Sequence, residues 1–190
     1  EIPLLVHLRG NHWEEIKMAR ETLYKSLPKK IALQKWEEIS EKCFEGSKII
    51  LPICNFLSDI VTKRYPDKPV ETLYQGISPS NWFHADGMKL KHPCVGLLQS
   101  ATIWDKTKEM LILPKVLEKM PNVTFYWVGD GPYRDKVLPK LEKFENFKWL
   151  GALEYPEKVR QFLSEIDVYA LLSGIDMSPL TLQEAQLMQK

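Results

Sequence analysis

The chain has 190 residues, 44% of them hydrophobic and 27% charged, with a formal net charge of +1. That length holds one medium domain or two small ones, and the near-neutral balance supplies no broad field for nucleic acid or another polyanion. The apolar runs fall far short of a membrane span, no signal peptide is legible, and Cys43, Cys54 and Cys94 are too few and too scattered for a disulfide framework. These cysteines lie in apolar stretches and read as buried thiols of a reducing, cytoplasmic compartment.

The expected elements alternate. Leu4 to Leu8 is a short strand, and Trp13 to Lys25 a helix. Pro28 opens a second helix, with Ala32, Trp36, Ile39 and Cys43 on one apolar face and Gly46 at its stop. Ile49 to Ile53 is a strand, Asn55 caps a helix running to Tyr65, and Val70 to Tyr74 is another strand. From Gln75 to His92 the rhythm breaks into Gly, Pro, Ser, Asn and Asp, the composition of an interdomain segment. It then resumes. Strands are expected at Val95 to Leu98, Val123 to Val128, Phe147 to Leu150 and Asp167 to Leu172. Helices are expected at Asp105 to Lys119, Tyr133 to Phe144 and Pro156 to Ser164, and from Pro179 onward. Pro114 conflicts with the first of these helices, because an interior proline costs about 3 kcal/mol.

Strands alternating with helices specify parallel sheets covered on both faces. The expectation is therefore an α/β chain of two doubly wound, Rossmann-like domains. Residues 1–78 form the first, 79–92 the linker and 93–190 the second. The chain begins at Glu1 rather than Met and ends at Lys190 within an expected helix, so both domains are expected to be incomplete, as in a piece of a longer protein.

Open parallel sheets bind ligands beyond the carboxyl ends of their strands. Three such places stand out. Gly129-Asp130-Gly131-Pro132 follows a strand directly, and its glycines allow a sharp turn and a close backbone approach; taken alone, it also fits an ordinary strand-to-helix turn. It is no dinucleotide fingerprint, because Arg134 stands where a third glycine is needed. Gly174 to Glu184 follows the last strand. Ser178 is expected as N-cap and Pro179 as first helical residue, which leaves backbone N–H groups at a helix start able to hold a diphosphate. Asp176 and Glu184 flank that start and offer carboxylates to sugar hydroxyls, although a capped helix with a solvated Glu fits the segment equally well. The third place is Gln99 to Lys108, after the strand at Val95 to Leu98, where Lys106 offers a point charge for phosphate, although a lone surface lysine is usually just solvated.

Together these segments resemble the donor-binding domain of GT-B glycosyltransferases, in particular glycosyltransferase family 4. Val128 to Pro132 matches the family's V-G-x-G-P turn. Asp176 to Glu184 matches its Glu-x7-Glu segment, with Asp in the first position. Leu150-Gly151 and Ile166-Asp167-Val168 fit its pattern, and Gln75-Gly76-Ile77 with Phe83 resembles its interdomain segment. The likeness covers about residues 48 to 188. It departs at Leu97, where the family has an arginine after the strand glycine. It departs again at Arg9-Gly10, where the family has a His before Gly or Asp; His7 and His12 lie nearby.

The resemblance implies a retaining transferase moving a sugar from a UDP- or GDP-linked donor to a glycan or lipid-linked acceptor, with a peripheral membrane contact left open. It implies that Glu184 holds the donor ribose and Asp176 meets sugar hydroxyls. The backbone of Met177, Ser178, Leu180 and Thr181 would hold the diphosphate together with Lys106. Gly129, Gly131 and Pro132 would line the nucleotide pocket. No cofactor and no metal are expected, since the sequence lacks an Asp-x-Asp pair and its His and Cys residues do not cluster at ligand spacing. The alternatives are a GT-B sugar-nucleotide epimerase and a nucleotide-sugar-binding module without chemistry.

Overall fold

The computed structural model describes residues 2–190; Glu1, the start of the expected first domain, lies outside them. The chain divides into two compact units. One runs up to Gly76 and includes Asp176–Ser178; the other is Ile77–Ile175 with Pro179–Lys190.

The first unit is built on two parallel strands, β1 (Leu5–Leu8) and β2 (Ile49–Pro52). Between them run α1 (His12–Thr22), whose N-cap Asn11 accepts a bond from the Glu14 amide, and α2 (Leu27–Gly46), with Pro28 in its first turn. A helix α3 (Asn55–Arg64) follows β2. The expected strand at Val70 is reduced to a single parallel bridge between Ile50 and Val70.

Two expectations change here. Asn55 is the first helical residue rather than the cap, because its Oδ1 is taken by Thr72 Oγ1 at 3.1 Å and Tyr74 Oη at 2.9 Å. On α2 the buried positions are Leu33 and Phe44, while Trp36 and Ile39 are largely exposed. The reason is Phe44, which stacks on Trp13 and Tyr65 and so sets the rotation of the helix. Glu41, on the same helix, accepts from Trp13 Nε1 at 3.2 Å and from the Tyr65 hydroxyl.

The second unit carries a four-stranded parallel sheet: β3 (Cys94–Leu98), β4 (Thr124–Val128), β5 (Phe147–Gly151) and β6 (Val168–Tyr169). Their order is β5-β4-β3-β6. Counted within this unit that is 3-2-1-4, the order of a doubly wound nucleotide-binding half, with its switch point between β3 and β6. The pleat sorts side chains strictly. Tyr126 and Val128 of β4 face one core with Cys94, Leu98, Phe162 and Ala185. Phe125 and Trp127 face the other with Leu97, Leu113, Leu117 and Val137.

Five helices cover the sheet: α4 (Trp104–Thr107), α5 (Leu113–Lys119), α6 (Arg134–Leu141), α7 (Glu157–Glu165) and α8 (Leu180–Leu187). The helix expected from Asp105 to Lys119 is thus two helices joined by a tighter 3₁₀ stretch, Lys108–Ile112. The break resolves the conflict over Pro114, which falls in the first turn of α5, where a missing N–H is harmless. Gly96 of β3 lets α7 approach closely, since a Cβ there would lie 2.6 to 2.8 Å from Ile166 and Phe162. The segment ahead of β3 lies on this unit, with Trp82 buried and Ile77, Met88 and Leu90 packed against the same core as α7.

Candidate nucleotide-sugar site

Beyond the carboxyl ends of β3 and β4 the chain makes two close-fitting turns. Gly129 and Gly131 have φ of +147° and +150°. A Cβ on Gly129 would lie 2.0 Å from the Gln99 carbonyl oxygen, and one on Gly131 would lie 2.5 Å from the Ala101 carbonyl carbon. Only glycine fits both the dihedrals and the space. The two turns are also bonded together: the Ala101 amide donates to Asp130 O at 2.9 Å and the Tyr133 amide to Ala101 O at 3.0 Å. Asp130 Oδ1 accepts from the Gly131 amide at 2.7 Å and from Arg134 at 3.0 Å. Pro132 follows in the same turn.

Two indoles brace this rim. Trp127 Nε1 donates to Gln99 O and Trp149 Nε1 to Gly129 O, both at 2.8 Å. Gln99 is 5% exposed; its Nε2 donates to the Lys106 carbonyl at 3.0 Å, while its Oε1 has no partner among the described residues. Gln99 therefore joins the Lys106 turn to the Gly129 turn. The sequence marked Gln99 only as the start of the Gln99 to Lys108 segment and gave it no role, because a lone glutamine after a strand carries no pattern.

The start of α8 stands over the same end of the sheet. Tyr169 of β6 donates its hydroxyl to Thr181 Oγ1 at 2.8 Å, and Tyr155, beyond β5, donates to Glu184 Oε1 at 3.1 Å. Both outer strands thus reach this helix. Glu184 is 3% exposed, and its burial pushes the carboxyl above the ordinary 4.5, opposed by the Tyr155 hydrogen bond. Burial and the neighbouring Glu184 raise the Tyr155 phenol in turn. Tyr155 is a second site residue that the sequence reading missed.

The capping expectation shifts by one residue. Pro179 is extended, at φ −70° and ψ 123°, and is itself the N-cap of α8, one residue beyond Ser178. Leu180 is the first helical residue, so the leading amides are those of Leu180, Thr181 and Leu182. Asp176, Met177 and Ser178 pack with the first unit. Ahead of them, the Gly174 amide is held by Glu109 Oε2 at 2.6 Å.

Leu97, where the resemblance has an arginine, is an interior residue of β3 and 1% exposed. His12 is buried edge-on against Trp13, Trp36 and Phe44, and burial lowers its pKa; His7 is exposed on β1. Of the cysteines expected to be buried, Cys94 is, whereas Cys43 and Cys54 are partly exposed. Residues distant in sequence also meet: His92, Cys94 and Asp167 place ligand atoms within 4.8 Å of one another. Among the described residues no helix is long and apolar enough to cross a membrane.

No protein-family model matches the sequence, and no curated protein does. Solved structures do match, and they are GT-B glycosyltransferases. The α/β architecture with parallel sheets is that of the GT-B structures. A mutant of S. aureus TarM in complex with fondaparinux, alpha-GlcNAc-glycerol and UDP superposes with a TM-score of 0.63 at 15% identity, over 82% of this chain and 31% of that one. The pneumococcal O-GlcNAc transferase GtfA, in complex with UDP and GlcNAc, gives 0.59 at 16% identity, over 76% of this chain and 29% of the other. Anabaena HepE, in complex with UDP and glucose, gives 0.63 at 15% identity, over 99% of this chain and 51% of that one. The chain thus spans about a third to a half of the length of these structures. At such identities the likeness is one of fold.

Proposed function

We propose that this chain is the donor-binding part of a retaining, family 4-like glycosyltransferase that moves a sugar from a UDP- or GDP-linked donor to a glycan or lipid-linked acceptor. The observation that carries the reading is the 3-2-1-4 sheet with two interlocked turns and a helix start at the carboxyl ends of its strands. Gly129, Gly131 and Pro132 bring bare backbone to the nucleotide. The α8 amides at Leu180 and Thr181 meet the diphosphate with the positive end of the helix dipole. Lys106 adds charge at the neighbouring turn. Glu184, ionised on binding, accepts the two ribose hydroxyls. Asp176 serves the sugar hydroxyls, and the backbone at Met177 and Ser178 leads into the phosphate site; both assignments rest on the place of these residues in the sequence.

Catalysis by such a site is electrostatic. Charge builds on the departing diphosphate, and oriented amides with a lysine stabilise it without reorganising. No metal is assigned to this step. The family's arginine has no counterpart at Leu97, which favours a second reading, a module that binds the nucleotide sugar without transferring it.

A thermal-shift panel of UDP, GDP and their sugars tests the reading. Binding at a hundredfold excess over Kd stabilises by about 2.7 kcal/mol. One base is expected to stabilise well above the other, and a flat response to all of them would refute the donor site. Binding without transfer, measured with acceptors present, would select the second reading.

A further inference from the structure

The opposite end of the same sheet carries a separate group of side chains. His92 and Cys94 lie on either side of Pro93 at the entry to β3, and Asp167 stands at the entry to β6. His92 Nδ1 is 2.9 Å from Asp167 Oδ2 and 3.7 Å from Cys94 Sγ. All three ligand atoms fall within 4.8 Å of one another. The Cys94 amide donates to the same Asp167 oxygen at 2.7 Å, which holds that oxygen beside the other two donors.

We propose that His92, Cys94 and Asp167 form a binding site for one divalent transition-metal ion, with zinc as the species the donor set fits. Thiolate, imidazole and carboxylate together suit zinc and disfavour magnesium or calcium, which take oxygen ligands. Tetrahedral zinc with bonds of about 2.0 to 2.3 Å holds neighbouring donors roughly 3.3 to 3.8 Å apart. The Cys94–His92 spacing already meets this. The His92–Asp167 pair has only to open by about half an ångström once the ion replaces the hydrogen bond between them.

A fourth residue supports the assignment independently. Glu165 Oε1 lies 2.9 Å from His92 Nε2, the ring nitrogen turned away from the other donors. A carboxylate behind a histidine is the usual partner of a metal-bound imidazole: it fixes the tautomer and aims the free nitrogen at the ion. The side chains of His92 and Asp167 are 42% and 46% exposed, so the fourth position opens to solvent and water fills it. Three protein ligands from two strand entries make the ion a staple between β3 and β6, the two strands that flank the switch point.

The test uses the full chain, reduced and stripped of metal. Cobalt(II) titration is expected to produce a sulfur-to-cobalt charge-transfer band at one equivalent, abolished by added zinc and unaffected by excess magnesium. His92 is exposed, so His92→Ala folds; it should weaken cobalt binding at least tenfold and remove the rise in Tm that zinc gives the parent chain. Cys43→Ser with Cys54→Ser should keep the band, and Cys94→Ser should lose it. The assignment is overturned if no charge-transfer band forms, or if His92→Ala binds cobalt as tightly as the parent.

Discussion

The two ends of the second unit's sheet put polar groups to work in opposite ways. At the carboxyl end the rim is made mostly of backbone: two glycines in left-handed conformations, carbonyls capped by indoles, and the leading amides of α8. At the amino end the chemistry belongs to side chains, with His92 between Glu165 and Asp167 and Cys94 beside it. The first arrangement suits a large anion that needs many weak donors. The second suits a small, hard-held cation. Different ligand chemistries are thus proposed at opposite ends of one sheet.

The sharpest way to break this comparison is at Gly129. Gly129→Ala forces a Cβ into the Gln99 carbonyl at an unfavourable φ, and should cost about 3 kcal/mol, a fall in Tm of roughly 6 to 12 °C. Nucleotide binding should go with it, while cobalt binding at the other edge persists. An unchanged Tm by calorimetry would show that the turn tolerates a side chain.

A smaller effect is expected at Glu184. Glu184→Gln keeps the shape but not the charge, and should weaken the preferred nucleotide about tenfold, or about 1.4 kcal/mol, by isothermal titration. The same change has a pH signature. Burial raises the folded carboxyl above 4.5, so as pH climbs past the unfolded value the unfolded chain ionises first. The folded chain then holds more protons, and stability falls with rising pH through that window. Glu184→Gln should flatten this slope and leave the chain more stable than the parent at neutral pH. An identical pH–stability curve would remove the buried carboxylate from the account.

The smallest change is Tyr155→Phe. It removes one hydrogen bond to Glu184 and should lower stability by about 1 kcal/mol, read as a Tm shift of roughly 2 to 4 °C.

How legible each edge was in the sequence follows from the same contrast. The carboxyl edge announces itself, because the Gly129-x-Gly131 turn and the Gly174 to Glu184 segment are contiguous and sit where the strand–helix rhythm puts loops. The amino edge is silent, since His92 and Asp167 are 75 residues apart and meet only once β3 and β6 pair. The roles of Gln99 and Tyr155 were hidden for the same reason: their meaning lies in partners from other segments. Local rules failed where tertiary contacts chose differently. Asn55 gave up its cap to hold Thr72 and Tyr74, and Pro114 read as a defect only while the helix around it was taken as continuous.

The paired tryptophans carry one more consequence. Because Trp127 and Trp149 each bond a strand-end carbonyl, the floor of the proposed nucleotide crevice is stiffened as the protein folds, before any ligand arrives. A guest settling there loses its own freedom but has little of the host's left to quench. The two indoles, lying under that floor, also make its occupancy visible in the protein's native fluorescence.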